Sequence, residues 1–440
     1  MSVPLKVIHE PGPDPADAAP ACALPNTPLA AALPGINQCV HCGFCLQACP
    51  TYQVLEDENE SPRGRIFLMR SLLEGTVTVH DERVHAHIDR CLGCRACEPA
   101  CPSGVPYGQL LEATRATLGA TRRPALIGRL ILFVFAHRPL MRFFMIASRF
   151  MAATPIPTLL SRLGGRLGFG MAMLSSTGAP LERDPYPVAN NGERGRTATL
   201  TGCVMEGLFT ETNRATERVL MRNGYALVKA EGQGCCGALH AHAGDLENAR
   251  KLARKNIDAF EKSGAEFIAV NAAGCGAMMK EYGHLLHDDP GFADRAAALG
   301  KKVRDVSELL AAAGPIPGSS LPLRVTYDAP CHLVHAQRVT TPPLSVLAAI
   351  PDLELVPLRD SEMCCGSAGI YNLIEPETSD AVLEPKLANI ADTGAPFVAT
   401  GNPGCLMQIG AGLIRSGSKA RAIHPVDLLD ASYAQDRRLG

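Results

Sequence analysis

Tryptophan is absent from this 440-residue chain, and aromatic residues together make up 5% of it. That scarcity argues against a stacking platform for single-stranded nucleic acid or an aromatic-lined sugar groove. Neither sign of charge dominates: 42 Lys and Arg stand against 44 Asp and Glu, a formal net charge of −2. Bulk positive charge is therefore not available to nucleic acid, and no such partner is expected. No run approaches the ~18 apolar residues of a membrane-spanning helix; the nearest, Leu130 to Ala136, is stopped by His137 and Arg138. No strand–GxGxxG–helix unit and no GxxxxGK(S/T) phosphate loop occurs, and the glycine-rich stretch at 164–170 follows no strand pattern. A chain without a hydride-accepting cofactor cannot take two electrons from an alcohol as hydride, so such chemistry would sit on another polypeptide.

What the chain has instead is cysteine, 17 in all. The first 36 residues carry eight prolines and no uninterrupted apolar core of signal-peptide length, which predicts an irregular lead-in and a cytoplasmic location. In a reducing compartment thiols serve metals or redox chemistry before disulfides. Cys39, Cys42, Cys45 and Cys49-Pro50 repeat the spacing of Cys91, Cys94, Cys97 and Cys101-Pro102. This is the three-plus-one pattern of two-cluster ferredoxins, whose fourth cysteine ligates the other cluster. Three thiolates on a tight loop wrap three corners of a cubane, and the fourth, beside a proline, is expected to start a helix that points away. The pattern predicts two [4Fe–4S] clusters, one on Cys39, Cys42, Cys45 and Cys101, the other on Cys91, Cys94, Cys97 and Cys49. Gly43 and Gly93 offer backbone freedom where amides turn inward. A pair of structural zinc sites is the competing reading, but zinc knuckles place a longer loop between two CxxC pairs. Between the runs, Ser61-Pro62-Arg63-Gly64-Arg65 reads as a helix start and Gly75 as its stop. Arg63 and Arg65 suit docking a partner, biasing a nearby cluster, or a solvated first turn.

Beyond Gly192 strand-like runs alternate with helical patterns. Cys203 precedes Cys235-Cys236-Gly237 by 32 positions and Cys275 follows Cys235 by 40; Cys331 precedes Cys364-Cys365-Gly366 by 33 and Cys405 follows Cys364 by 41. Matched spacing indicates a duplicated α/β unit. Four thiols per unit is the number one cluster or metal needs, weighed against buried, hydrophobe-like cysteines. Several follow predicted strands, at the edge where open sheets place ligands. Nearby His240, His242, His332, His335 and His424 read individually as surface or core residues. Only Cys22 is left over.

Ala113 to Leu181 holds no acidic residue but nine arginines, at 115, 122, 123, 129, 138, 142, 149, 162 and 166. This pattern fits a basic amphipathic helix pair, expected to pack on this chain or a partner in preference to a lipid surface.

The run from Cys39 to Tyr52, Ser61 to Arg65, Asp89 to Cys97 and Cys101 to Pro106 closely resembles the iron–sulfur subunits of glycolate oxidase (glycolate dehydrogenase). The two Cys-Cys-Gly units resemble the cysteine-rich domains of the same family. Its relatives include lactate-utilisation proteins, the third subunit of anaerobic glycerol-3-phosphate dehydrogenase and the heterodisulfide reductase B subunit. The resemblance implies flavin-containing partner subunits that oxidise glycolate to glyoxylate, and an electron path through this chain to an acceptor such as quinone. Beside it stand the expectations of further clusters on the repeat cysteines, and of a place in the cytoplasm or on the inner face of the membrane. In heterodisulfide reductase-type repeats a CxxC closes the set; here Ala272 and Asn402 stand at its first position. Four thiols per repeat remain. The expected fold class is a helical, ferredoxin-like two-cluster unit and a helical linker, followed by two repeated α/β domains. The boundaries read as a flexible lead-in (1–35), the cluster unit (36–115), the linker (116–195) and the repeats (196–315 and 322–432). Two alternatives are the equivalent lactate or glycerol-3-phosphate subunit and a non-catalytic iron–sulfur scaffold or sensor.

Overall fold

The computed structural model describes residues 22–121, 126–178, 181, 186, 188 and 192–435. The first 21 residues of the expected lead-in, and Arg122 and Arg123, lie outside them.

The amino-terminal unit is helical. Ser61 caps the helix Pro62–Glu74, its Oγ accepting from the Gly64 amide at 3.0 Å, and Gly75 closes it in the left-handed conformation. The buried face, Ile66, Met69, Leu72 and Leu73, meets Ile88, Tyr107, Leu110 and Leu111 in one core. The lead-in differs from expectation: Thr27 caps a short helix, Pro28–Ala31, followed by Leu33–Asn37. Leu29 and Ile36 are fully buried in the same core. Burying each contributes roughly 2 kcal/mol, enough to hold a segment whose prolines suggested irregularity.

Each repeat is a four-stranded parallel sheet. The first orders its strands β2-β1-β3-β4, with β1 at Arg196–Thr199, β2 at Ala226–Leu227, β3 at Phe267–Val270 and β4 at Val303–Asp305. The second orders them β6-β5-β7-β8, with β5 at Arg324–Tyr327, β6 at Glu354–Val356, β7 at Phe397–Ala399 and β8 at Arg421–Ile423. The identical order confirms the duplication. The helical pattern at 245–264 forms Leu246–Ser263, capped by Asp245 and closed by left-handed Gly264. The two sheets are not separate beads. One core joins Leu220, Leu309 and Leu310 of the first repeat to Val325, Leu347 and Leu429 of the second. Arg218 pairs with buried Asp430 at 2.5 Å across the join.

In a 2-1-3-4 order the chain changes direction between the first and third strands, and ligands collect at the carboxyl ends there. Cys203 and Cys275 follow β1 and β3, and Cys331 and Cys405 follow β5 and β7. The two ligand edges face each other. The Ala273 amide donates to the Gly401 carbonyl at 3.1 Å, and the Gly274 amide to Asn402 Oδ1 at 3.2 Å.

The arginine-rich segment forms helices Leu126–Ala136, Arg138–Ala152, Ile156–Leu160 and Gly165–Ser175. One face packs on this chain, as expected. Gly128, Leu132, Val134 and Met141 turn inward, but most of the large apolar side chains stay in solvent.

Candidate metal centres

The two ferredoxin-type runs share a backbone path. The second and fourth residues after each leading cysteine have positive φ: His41 (53°) and Gly43 (88°) in one run, Gly93 (61°) and Arg95 (64°) in the other. Alternating left-handed residues turn successive amides to one side of the loop, the concavity an anionic cluster requires. Two of the four are not glycine, so the glycines alone understate this device. The fourth cysteines differ. Cys49 precedes the helix Pro50–Leu55 as expected, whereas Cys101 enters a turn through Pro102 and Gly104, and the next helix waits until Tyr107. That correction has a physical source: Gly104 has a φ of 67°, which breaks any helix begun at Pro102.

Cys39, Cys42, Cys45 and Cys101 line one cavity, near the surface, with Cys97 on its inner wall. Cys91, Cys94, Cys97 and Cys49 line a second, deeper one. Cys97 borders both.

Arg65 is fully buried and forms part of the second cavity's wall. Its guanidinium reaches Glu60 Oε2 at 2.5 Å, the His87 carbonyl at 2.7 Å and Thr51 Oγ1 at 3.2 Å. Glu60 is held in turn by His87 at 2.8 Å and Arg90 at 2.9 Å. Burial works against its charge, but Cys91, Tyr107, Cys49 and Glu60 around it raise its pKa above the ordinary value. Thr51 Oγ1 lies 3.3 Å from Cys49 Sγ, and the Tyr107 hydroxyl donates to Cys91 Sγ at 3.6 Å. Arg63 instead lies at the mouth of the first cavity, paired with Glu58 at 2.6 Å. Each arginine thus borders one of the two cavities.

All eight repeat cysteines, Cys203, Cys235, Cys236, Cys275, Cys331, Cys364, Cys365 and Cys405, line a single cavity of about 270 Å³ between the two sheets. Spacing suggested one site per repeat; facing ligand edges produce one shared chamber. Its other lining is mostly apolar, with Leu92, Phe135, Met145 and Met173 among it. His242 and His332 also line it, their rings stacked at 5.3 Å. Burial, then His242, lowers His332 to about 3, so its imidazole is neutral. His240, His335 and His424 hydrogen-bond to the carbonyls of Leu132, Glu362 and Asn271. The chamber adjoins the second cavity: Leu92 borders both, and Cys94 packs in one apolar cluster with Cys364 and Cys331.

The thiols are spaced too widely for a single zinc ion. Four thiolates about 2.3 Å from one zinc stand about 3.8 Å apart. Among the described residues no three thiols bring their sulfurs mutually within 4.8 Å. The thiols also resist ionising together. Burial pushes Cys45 up to about 11. Burial, aided by Cys91 and Cys49, raises Cys97 well above its usual value. In the central chamber the thiols bond to one another, which pulls Cys235 down through Cys203 and Cys236 and pushes those two up. Cations placed among them would let so many buried thiols become thiolates, as bound metal would.

A model of the 4Fe-4S dicluster domain matches residues 35–105, and one of a cysteine-rich domain matches 197–280 and 325–410. The probable glycolate oxidase iron-sulfur subunit of Bacillus subtilis (strain 168) is 37% identical over 415 residues, 89% of this chain and 92% of its own. The glycolate oxidase iron-sulfur subunit of Escherichia coli (strain K12) is 36% identical over 84% of this chain and 88% of its own. Lactate utilization protein A of Geobacillus kaustophilus (strain HTA426) is 30% identical over 52% of this chain and 96% of its own. A dicluster unit, two facing thiol-bearing sheets and relatives matched along most of their length agree: the chain belongs to the family of glycolate oxidase iron–sulfur subunits.

Proposed function

We propose that the chain relays single electrons from a flavin-containing partner subunit, which oxidises glycolate to glyoxylate, towards an acceptor such as a quinone, on the cytoplasmic side of the membrane. The observation that carries this reading is the unbroken adjacency of three thiol-lined cavities, joined through Cys97 and then through Leu92 and Cys94. Cys39, Cys42, Cys45 and Cys101 would hold one [4Fe–4S] cluster, and Cys91, Cys94, Cys97 and Cys49 the other. The eight repeat thiols would hold further metal. A bound [4Fe–4S] cluster exchanges electrons one at a time, the step that links a two-electron flavin to one-electron traffic. The chain's own contribution is spacing and charge. Arg65, Thr51 and Tyr107 surround the second cavity with a cation and hydrogen bonds, which stabilise electron-rich sulfur.

The test is anaerobic co-purification with the partner subunits, followed by glycolate addition under electron paramagnetic resonance. Glycolate should reduce both flavin and clusters, and Cys94→Ser should leave flavin reduction intact while abolishing transfer to a quinone analogue. Flavin reduction without any cluster signal refutes the relay. Reduction by lactate or glycerol 3-phosphate but not glycolate moves the chain to those complexes. Stoichiometric zinc without acid-labile sulfide leaves only a scaffold.

A further inference from the structure

Fourteen of the twenty large apolar side chains exposed among the described residues fall between Leu126 and Leu167, a tenth of the chain. They are ordered, not scattered. Leu126, Leu130 and Phe133 recur at helical spacing along Leu126–Ala136. On Arg138–Ala152, Phe143 (66% exposed), Ile146 and Phe150 (75% exposed) share the face opposite buried Met141. At about 100° per residue, Arg138, Arg142 and Arg149 gather along one edge of this helix, between the outward apolar face and the seated one; all three are exposed.

The seated side is fixed. Met145 packs so closely on the short helix Val204–Leu208 that a Cβ at Gly207 would lie 2.4 Å from its Sδ, and Val134 and Met141 pack with Cys203 and Cys235. The outward apolar face is thus held rigidly away from the protein. No single helix among the described residues is long and apolar enough to cross a membrane, and the two helices bend by 108° at their junction. Together they have the length and composition of a broken span, but their inner side is seated on the protein, which makes them a platform.

We infer that this platform docks the chain on an anionic phospholipid bilayer, lying in the interface with Phe143, Ile146 and Phe150 among the acyl chains and Arg138, Arg142 and Arg149 at the phosphates. Charge complementarity selects this occupant. Residues 113–181 carry nine arginines and no carboxylate, and those at 138, 142 and 149 border the apolar face instead of interrupting it, as insertion to headgroup depth requires. The inner side of the same helices lines the thiol chamber through Phe135 and Met145, so docking sets that chamber directly behind the membrane surface.

Flotation of the anaerobically purified full chain with phosphatidylcholine vesicles, with and without phosphatidylglycerol, tests this. The chain should float with phosphatidylglycerol vesicles and be released by high salt. Phe143→Ser with Phe150→Ser should weaken binding about tenfold or more. Arg142→Gln and Arg149→Gln should each weaken it roughly fivefold on anionic vesicles and leave phosphatidylcholine unaffected. Iron content and cluster absorbance should stay at wild-type levels in every variant, which separates this test from that of the relay. A wild-type chain that stays unbound with phosphatidylglycerol overturns the inference. So do variants that float like wild type, binding extractable only by detergent, or loss of a co-purifying protein from variants of a chain that never bound lipid.

Discussion

Gly64 and Arg65 show how closely the second cavity is built. A Cβ at Gly64 would stand 2.0 Å from the Glu58 carbonyl oxygen, so the helix Pro62–Glu74 reaches the turn before it only through glycine. Gly64→Ala is expected to cost several kcal/mol, about as much as severe overpacking, read as a lowered urea midpoint; an unchanged midpoint would show that the turn yields freely. Arg65→Gln removes a buried cation beside Cys49 and Cys91. The second cluster's midpoint potential should then become more negative, because the reduced state loses its nearest positive charge. Stability should fall by about 3 kcal/mol as buried Glu60 loses a partner. Arg65→Lys retains the charge and should preserve the potential while losing part of the stability. Redox titration distinguishes the two: equal shifts in both variants would mean that geometry, not charge, governs. Spacing made the grouping of the cysteines around shared cavities legible. The burial of Arg65 was not legible, because nothing in Pro62-Arg63-Gly64-Arg65 says which arginine the helix turns inward.

At the level of elements, caps and periodicity were read directly from the chain. Ser61 and Gly75, and Asp245 and Gly264, bound their helices because their side chains or backbone freedom satisfy terminal groups locally. The helix absent after Cys101 and the ordered segment at 28–37 escaped that reading, since one depends on a left-handed glycine and the other on burial against distant residues. Asp305 supplies a further test. It caps the helix Val306–Ala313 in a capping box with Glu308, and burial raises its pKa from 3.8 to about 6. Across that window the folded chain holds a proton that the unfolded chain has released. Its contribution to stability is therefore fully present below about pH 4 and is lost as pH rises through about 6, by about 3 kcal/mol. Asp305→Asn keeps the cap and removes the titration, so urea midpoints should vary less between about pH 5 and about pH 7 than in wild type. Equal pH slopes in the two proteins would show that Asp305 ionises normally.

Over the whole molecule, the cluster unit is clamped to both sheets. Arg95 pairs with Glu98 at 2.9 Å and with Glu281 of the first repeat at 2.6 Å. Arg115 donates to the His242 carbonyl at 2.8 Å, and the Tyr371 hydroxyl to the Arg90 carbonyl at 2.9 Å. No sequence pattern foretold these joints, which join residues as far as 281 positions apart. Arg95→Leu should weaken the docking by about 2 kcal/mol, seen as faster hydrogen exchange in Tyr107–Gly119 and slower reduction of whatever metal the central chamber holds. Unaltered exchange would place the clamp elsewhere.

The first cavity opens at the surface, with Cys42, Val40 and Phe44 exposed around it, while Cys94 and Cys97 behind it are buried. Oxygen therefore reaches the first cavity before the second. In air, decay should advance inward from that rim, so that an aged sample loses the first cluster before the second. Such a sample would keep much of its colour and little of its conductance.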